Sequence, residues 1–313
     1  ISFNEELYNK YYAYKIDGPK DKTEMYDPDV LIADPYSTAV VSRNSYEHES
    51  KTLIIKDDFD WEGTDWVSIP MDQLIIYEMH VRDMTAHPSS GAKNPGTYLG
   101  MIEKDIRGGI NYIKSLGVNA VELLPIHEFA NWEIPYKEKY RGYYNTWNPY
   151  ERNHWGYMTT YFFAPESYYA SNGTSRFGEW NGMDGRQIRE LKEMIKAFHK
   201  EGIAVILDVV YNHTSQYDYN PFKYIDKKYY FRLDSAQNFL SYSGCGNDLK
   251  TERPMMRRLI LESIKYWMIE YKIDGFRFDL ANLIDHETRK QIIEEAKKIN
   301  PNVIIIAEPW GGG

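Results

Sequence analysis

From Gln73 onward, short apolar runs alternate with longer stretches in which apolar residues recur every three or four positions. The runs LIIYEMHV (74–81), VNAVELLPI (118–126), IAVILDVV (203–210), IDGFRFDL (273–280) and NVIIIAEP (302–309) predict five strands. Helical spacing predicts helices near 101–116 (Ile102, Ile106, Ile110, Ile113), near 184–201 (Ile188, Leu191, Ile195, Phe198) and near 254–271 (Ile260, Ile264, Trp267, Tyr271). A last helix carries Ile292, Ala296 and Ile299, with Asp285 as its cap, and Gly117 and Gly202 supply stops after the first two. Strands that alternate with amphipathic helices predict a parallel sheet covered by helices, either a closed barrel or an open doubly wound sheet. Before residue 70 the pattern differs. KYYAYKID (10–17) reads as a strand, GPKDK (18–22) as a turn and KTLIIKDDFDWEG (51–63) as a strand and turn, without helical periodicity. Two units are therefore expected: a small β region over 1–70 and the strand-helix region over 71–313.

Polar residues fall in a pattern within this frame. In KIDGFRFDLAN (272–282), Phe276 and Phe278 take one face of a strand while Arg277 and Asp279 share the other. Burying such a pair is costly unless it is well hydrogen-bonded or does chemistry, so a structural ion pair and a functional site both fit this segment alone. Three of the other four strands end similarly, with Glu78, His80 and Arg82 on the first, Asp208, Asn212 and His213 on the third, and Glu308 on the fifth. In a parallel barrel the carboxyl ends of the strands converge on one face where catalytic groups gather, so these residues are expected to meet. Carboxylates at three successive strand ends, Asp208, Asp279 and Glu308, make independent helix capping the weaker explanation. Convergent carboxylates with little else suit glycoside hydrolysis or transfer. One carboxylate attacks the anomeric carbon and a second, kept protonated, donates to the departing oxygen. Arg277 would keep Asp279 ionised, and Glu308, after an all-apolar strand, is expected in desolvated surroundings that keep a carboxyl protonated.

Composition narrows the ligand. A net charge of −9 and a pI near 5.5 disfavour a nucleic-acid partner and favour a neutral ligand. Aromatic residues are abundant, with 28 Tyr and 8 Trp, and they are densest between Trp132 and Trp180, where aromatic faces stack on sugars or fill a core. A single cysteine, Cys245, excludes an intramolecular disulfide. No apolar run approaches the roughly 18 residues of a membrane span, so a soluble chain without a membrane partner is expected. The start at Ile1 says nothing of a targeting segment or of location. Asp208 and His213 are conceivable metal ligands, but no His-x-His or HExxH spacing accompanies them and no catalytic metal is expected. The absence of a G-x-S-x-G elbow disfavours a serine hydrolase, and HVRDMTAHPSS after the first strand lacks a Gly-rich phosphate fingerprint.

Longer motifs then stand out. DVVYNH (208–213), GFRFDLAN (275–282) and IIAEPW (305–310) resemble, in order, three signature regions of the α-amylase family, glycoside hydrolase family 13. NHWGYMTTYFFAPESYYAS (153–171) and SGCGND (243–248) are similar to its debranching branch, the isoamylases and type I pullulanases. YYAYKIDGP and DPYSTAV (34–40) resemble the end of the starch-associated β-sandwich that precedes the barrel in such enzymes. The resemblance implies a (β/α)8 TIM barrel, of which the first five strands are present, and retaining hydrolysis of α-1,6 branches in an α-glucan. It implies Asp279 as nucleophile, Glu308 as general acid/base, Arg277 as the nucleophile's partner, Asp208 and His213 on hydroxyls of the cleaved sugar, and Tyr157 as its stacking aromatic. Trp310 either lines the neighbouring subsite or packs at a loop start. Asn212 matches a structural-calcium position that varies among debranching members; no other cofactor is implied. The family's fourth signature has no match, so the sequence reads as an excerpt, and a molecule ending at Gly313 is expected to be inactive and unstable. A branching transferase and a non-catalytic α-glucan-binding protein are the alternative functions.

Overall fold

The computed structural model describes residues 5–19 and 23–310. The turn expected over 18–22 lies partly outside them, as does the closing GGG. Five parallel strands form the central sheet: β1 (Ile76–Met79), β2 (Ala120–Leu123), β3 (Ala204–Val209), β4 (Gly275–Phe278) and β5 (Ile304–Ala307). Each pairs with its sequence neighbour, through Ile76 with Ala120, Ala120 with Ala204, Ile206 with Gly275, and Gly275 with Ile304. Strand order therefore never reverses, as a singly wound barrel wall requires and a doubly wound sheet, with its switch point, does not.

Side chains alternate across this sheet. Val121, Leu123, Val205, Leu207, Phe276 and Phe278 join the main core under the helices, whereas Ala120, Ala204, Ile206 and Ile304 form a small cluster on the opposite, inner face. Glu78, Glu122, Asp208 and Arg277 continue the inner-face alternation at the carboxyl ends. The helices cover the outer face as their periodicity predicts, and in α1 (Ile110–Ser115) Ile110 and Ile113 are buried. In α2 (Arg186–Lys200) Ile188, Leu191, Ile195 and Phe198 are buried, and in α3 (Pro254–Tyr271) the stripe from Ile260 to Tyr271 is buried. The following helix, α4 (His286–Ile299), starts at Asp285, whose carboxylate accepts from the Thr288 N–H at 3.0 Å.

The helix expected near 101–116 is two short ones, Tyr98–Met101 and Ile110–Ser115. Gly108 and Gly109 break it. Gly108 has φ +86°, and a Cβ there would lie 1.9 Å from the Met84 carbonyl oxygen, so close backbone approach overrides the isoleucine spacing.

The first part of the chain forms a four-stranded antiparallel sheet in the order Tyr11–Tyr12, Ser50–Leu53, Val40–Arg43, Trp180–Asn181. Its last strand comes from the excursion between β2 and α2, and Ala39, Val41 and Leu53 belong to the main core. This sheet is therefore packed onto the parallel unit. No helix among the described residues is long and apolar enough to cross a membrane.

At the amino-terminal end of β4, buried Asp274 accepts from the N–H groups of Val67 and Val205, both at 2.7 Å, and lies 2.7 Å from His199 Nε2. Asp274→Ala leaves these donors unpaired, and a loss of about 3 kcal/mol is expected in urea unfolding. An unchanged midpoint would show that Asp274 does not tie the segment before β1, β3 and α2 together.

Candidate active site

The inner-face alternation delivers Arg277 to the centre of the rim. Its Nη1 lies 2.9 and 3.0 Å from the two oxygens of Asp208 and 3.3 Å from Asp279, and its Nη2 lies 2.7 Å from Glu308. One guanidinium thus holds the carboxylates of three successive strand ends. Arg277 is not Asp279's partner alone, since its shorter contacts are to Asp208 and Glu308.

The backbone fixes these positions beyond the strands. Asp279 N–H donates to the Val209 carbonyl at 3.0 Å, and Glu308 N–H to that of Phe278 at 3.1 Å. Leu280 then turns the chain with φ +40°, ψ +50°, a left-handed conformation that costs a non-glycine residue of order 1 kcal/mol or more. The turn points the Leu280 N–H at Glu308 Oε2, 2.9 Å away. Glu308 therefore lies in polar, ion-paired surroundings, and the desolvated, apolar setting expected from the sequence is not found. The apolar residues of β5 precede it along the chain but do not surround its carboxylate.

Asn212 is wholly buried and used at both ends of its amide. Its Nδ2 donates to the Asp279 carbonyl at 2.8 Å and to Asp279 Oδ2 at 3.0 Å, while its Oδ1 lies 2.5 Å from His213 Nδ1. Both ends of the Asn212 amide thus hold their neighbours, Asp279 on one side and His213 on the other. His213 Nε2 lies 2.8 Å from the Tyr157 carbonyl oxygen. Both ring nitrogens face oxygens, an arrangement that an imidazolium would satisfy, yet burial dominates and holds His213 below the usual imidazole value.

Tyr157 donates its hydroxyl to Asp208 Oδ2 at 2.5 Å. Burial pushes Asp208 up to about 7, against the pull of this hydrogen bond and of Arg277. Burial also works against the Arg277 charge, but Asp208 and Glu308 outweigh it and hold the guanidinium above its ordinary value. Burial and the neighbouring Glu78 raise Glu122. Oxygens of Glu78, Glu122 and Asp208 lie within 4.8 Å of one another. One cation facing this many carboxyls favours retention of a proton in the cluster.

Asp208, Arg277, Asp279, Glu308, Tyr157 and His213 are thus joined by direct contacts. Trp310 is not. Its indole is 70% exposed and makes no hydrogen bond or ring contact among the described residues. His80 and Arg82 also lie apart, His80 stacked on His154 at 4.6 Å and bonded to Tyr169, Arg82 over the Tyr168 ring. Sequence reasoning missed Glu122 and the bridging role of Asn212. Glu122 was detectable as the one acidic residue in an otherwise apolar strand, whereas the role of Asn212 depends on a loop conformation.

A sequentially ordered parallel β/α wall with its polar groups at the carboxyl ends is part of a (β/α)8 barrel. Comparison with known proteins agrees. The family described as "Alpha amylase, catalytic domain" matches residues 226–309. Isoamylase 1, chloroplastic, of Arabidopsis thaliana is 36% identical over 294 residues, covering 88% of this chain and 35% of that protein. Isoamylase 3, chloroplastic, of Oryza sativa subsp. japonica is 39% identical over 332 residues, covering 96% and 40%. Among solved structures, a pullulanase from Paenibacillus barengoltzii complexed with maltohexaose and alpha-cyclodextrin superposes with a TM-score of 0.72 at 32% identity, covering 90% of this chain and 42% of that one. Residues 226–309 thus match the catalytic domain of the α-amylase family of glycoside hydrolases, and over most of its length the chain is similar to isoamylases and pullulanases. It spans 35% to 40% of the length of these two isoamylases.

The Tyr157 hydroxyl stabilises the ionised form of Asp208. Tyr157→Phe is therefore expected to move the Asp208 titration upward from about 7, read by carbon-13 NMR of labelled aspartate. A downward shift or none would contradict the assigned hydrogen bond.

Proposed function

We propose that the full-length protein hydrolyses α-1,6 branch linkages of α-glucans such as pullulan, amylopectin or glycogen-like polymers, with retention of anomeric configuration. The observation that carries this reading is Arg277 in contact with Asp208, Asp279 and Glu308 together. In this reading the segment before residue 70 is the end of a starch-associated β-sandwich, and residues 71–313 are the first part of the catalytic barrel.

Asp279 is the nucleophile. Asn212 occupies Oδ2, while Oδ1 has only the longer 3.3 Å contact to Arg277, so Oδ1 is the oxygen free to attack the anomeric carbon. Glu308 protonates the departing glycosidic oxygen as the bond to the anomeric carbon breaks, leaving the sugar esterified to Asp279. It then removes a proton from the water that hydrolyses this ester, and Asp279 leaves as carboxylate. Arg277 holds both carboxyl groups in reach of one sugar, and it stabilises the negative charge of Asp279 before attack and that of Glu308 once its proton has gone to the leaving group. Asp208 and His213 bind hydroxyls of that sugar, and Tyr157, fixed by its bond to Asp208, presents its ring to the sugar's face. Trp310, exposed just beyond the acid, keeps its place in this proposal only as a wall of the neighbouring subsite.

The isoamylases and pullulanases among the relatives, and solved pullulanases crystallised with malto-oligosaccharides, support a neutral α-glucan as partner. Nothing in the chemistry of the rim calls for a nucleic acid, a membrane or a further cofactor.

Asp279→Asn in the full-length protein is expected to lower turnover of pullulan at least about 10³-fold while leaving its melting temperature within a few degrees of the parent. Release of maltotriose by the parent identifies debranching. New branch points would identify transfer instead, and undiminished turnover by the variant would remove Asp279 from the mechanism.

A further inference from the structure

Beside the acidic rim lies a cleft of about 910 Å³ whose walls include Trp147, Tyr150, Asn153, Trp155 and Tyr157. Three of these aromatics are unusually open to solvent, Trp147 at 66%, Tyr150 at 83% and Trp155 at 61%. Clustered exposed rings cost solvation free energy and mark surfaces that meet a ligand.

The loop that carries Trp147 and Tyr150 is built to hold them there. Asn145 Oδ1 accepts from the Trp147 and Asn148 N–H groups at 3.3 and 3.0 Å, and Asn148 Oδ1 accepts from the Tyr150 N–H at 3.0 Å. Both asparagine amides in turn donate to backbone carbonyls, Asn145 to Ile134 and Asn148, Asn148 to Arg152. The backbone beneath the rings is thus fixed before any ligand arrives, which reduces the ordering cost of binding.

Two further features suggest what the cleft takes. Asn153 Nδ2 is buried without a hydrogen-bond partner among the described residues, leaving a neutral donor for a hydroxyl. The cleft is also continuous with the rim through Tyr157, which bonds Asp208, and through Cys245, close enough to Asp279 to feel its charge.

We propose that Trp147 and Tyr150, with Trp155, form an outer wall that stacks glucose units several positions from the linkage being cleaved, so that this loop sets a preference for longer α-glucan chains. This rests on the α-glucan reading of the rim. Aromatic faces and a neutral amide donor suit the apolar faces and hydroxyls of a neutral sugar chain. The wall discriminates by length because a short chain seated at Tyr157 ends before reaching Trp147.

The test uses the full-length protein and the double variant Trp147→Ala, Tyr150→Ala. The ratio of kcat/KM on amylopectin to that on pullulan is expected to fall roughly tenfold, the combined loss of two stacked rings. Calorimetric Kd for maltoheptaose is expected to rise by a similar factor, and that for maltotriose by less than about twofold. Trp147→Phe with Tyr150 intact retains both faces and should keep most of the parent's ratio, a rescue that a general folding defect would not give. Unchanged ratios and unchanged maltoheptaose affinity would overturn the proposal. If the parent cleaves neither polymer, the reading of the rim fails, and the maltoheptaose comparison alone still decides the wall.

Discussion

A single guanidinium facing three carboxylates is the constraint around which this rim is arranged. Left alone, Asp208, Asp279 and Glu308 would repel one another, and burial would penalise each charge. Arg277 makes their convergence tolerable because its planar fork presents nitrogens in different directions at once, which a lysine ammonium on a flexible stem does not. Burial, with a smaller contribution from Asp279, still raises Asp208 and favours a proton there. A rim of this kind accepts neutral, hydroxyl-rich ligands readily, because hydroxyl groups replace water around the carboxylates without adding charge.

The two ends of β4 show how one strand divides its labour. Asp274 at the amino end is buried against His199 and two backbone N–H groups, and its oxygens are fully committed to holding neighbouring segments. Five residues later Asp279 keeps one oxygen only loosely engaged. The same side-chain chemistry is structural at one end and available at the other. A second buried network supports the loops over the rim. His48, in the turn between the strands Val40–Arg43 and Ser50–Leu53, lies 3.3 Å from Glu128 and 3.7 Å from Asp218, Asp218 accepts from Thr160 at 2.6 Å, and Lys223 lies 3.6 Å away. Glu128 and Asp218 together push His48 up to about 9 against its burial, so an ion-paired imidazolium ties the first sheet to the segment that carries Tyr157.

Much of this was legible in the chain. Strand and helix periods located β1 to β5 and the stripes of α2 and α3, because a buried parallel sheet and its covering helices leave strong apolar patterns. Alternation within GFRFDL placed Arg277 with Asp279. What escaped were features decided by contacts distant in sequence. The split of the 101–116 helix follows from Met84 crowding Gly108, and the strand at Trp180–Asn181 exists only because Val40–Arg43 lies beside it. Likewise the polar setting of Glu308 comes from Arg277 and the left-handed turn at Leu280, neither of which its own apolar neighbours reveal.

The most direct measurement of the central claim is covalent trapping in the full-length protein. A fluorinated α-glucosyl or α-maltosyl fluoride that forms a glycosyl-enzyme faster than it is hydrolysed should add one sugar mass to the protein, and peptide mass spectrometry should place that mass on Asp279 within GFRFDLAN. A label on Asp208 or Glu308, or an active protein that turns over its substrate with inversion and never carries a label, would contradict the account.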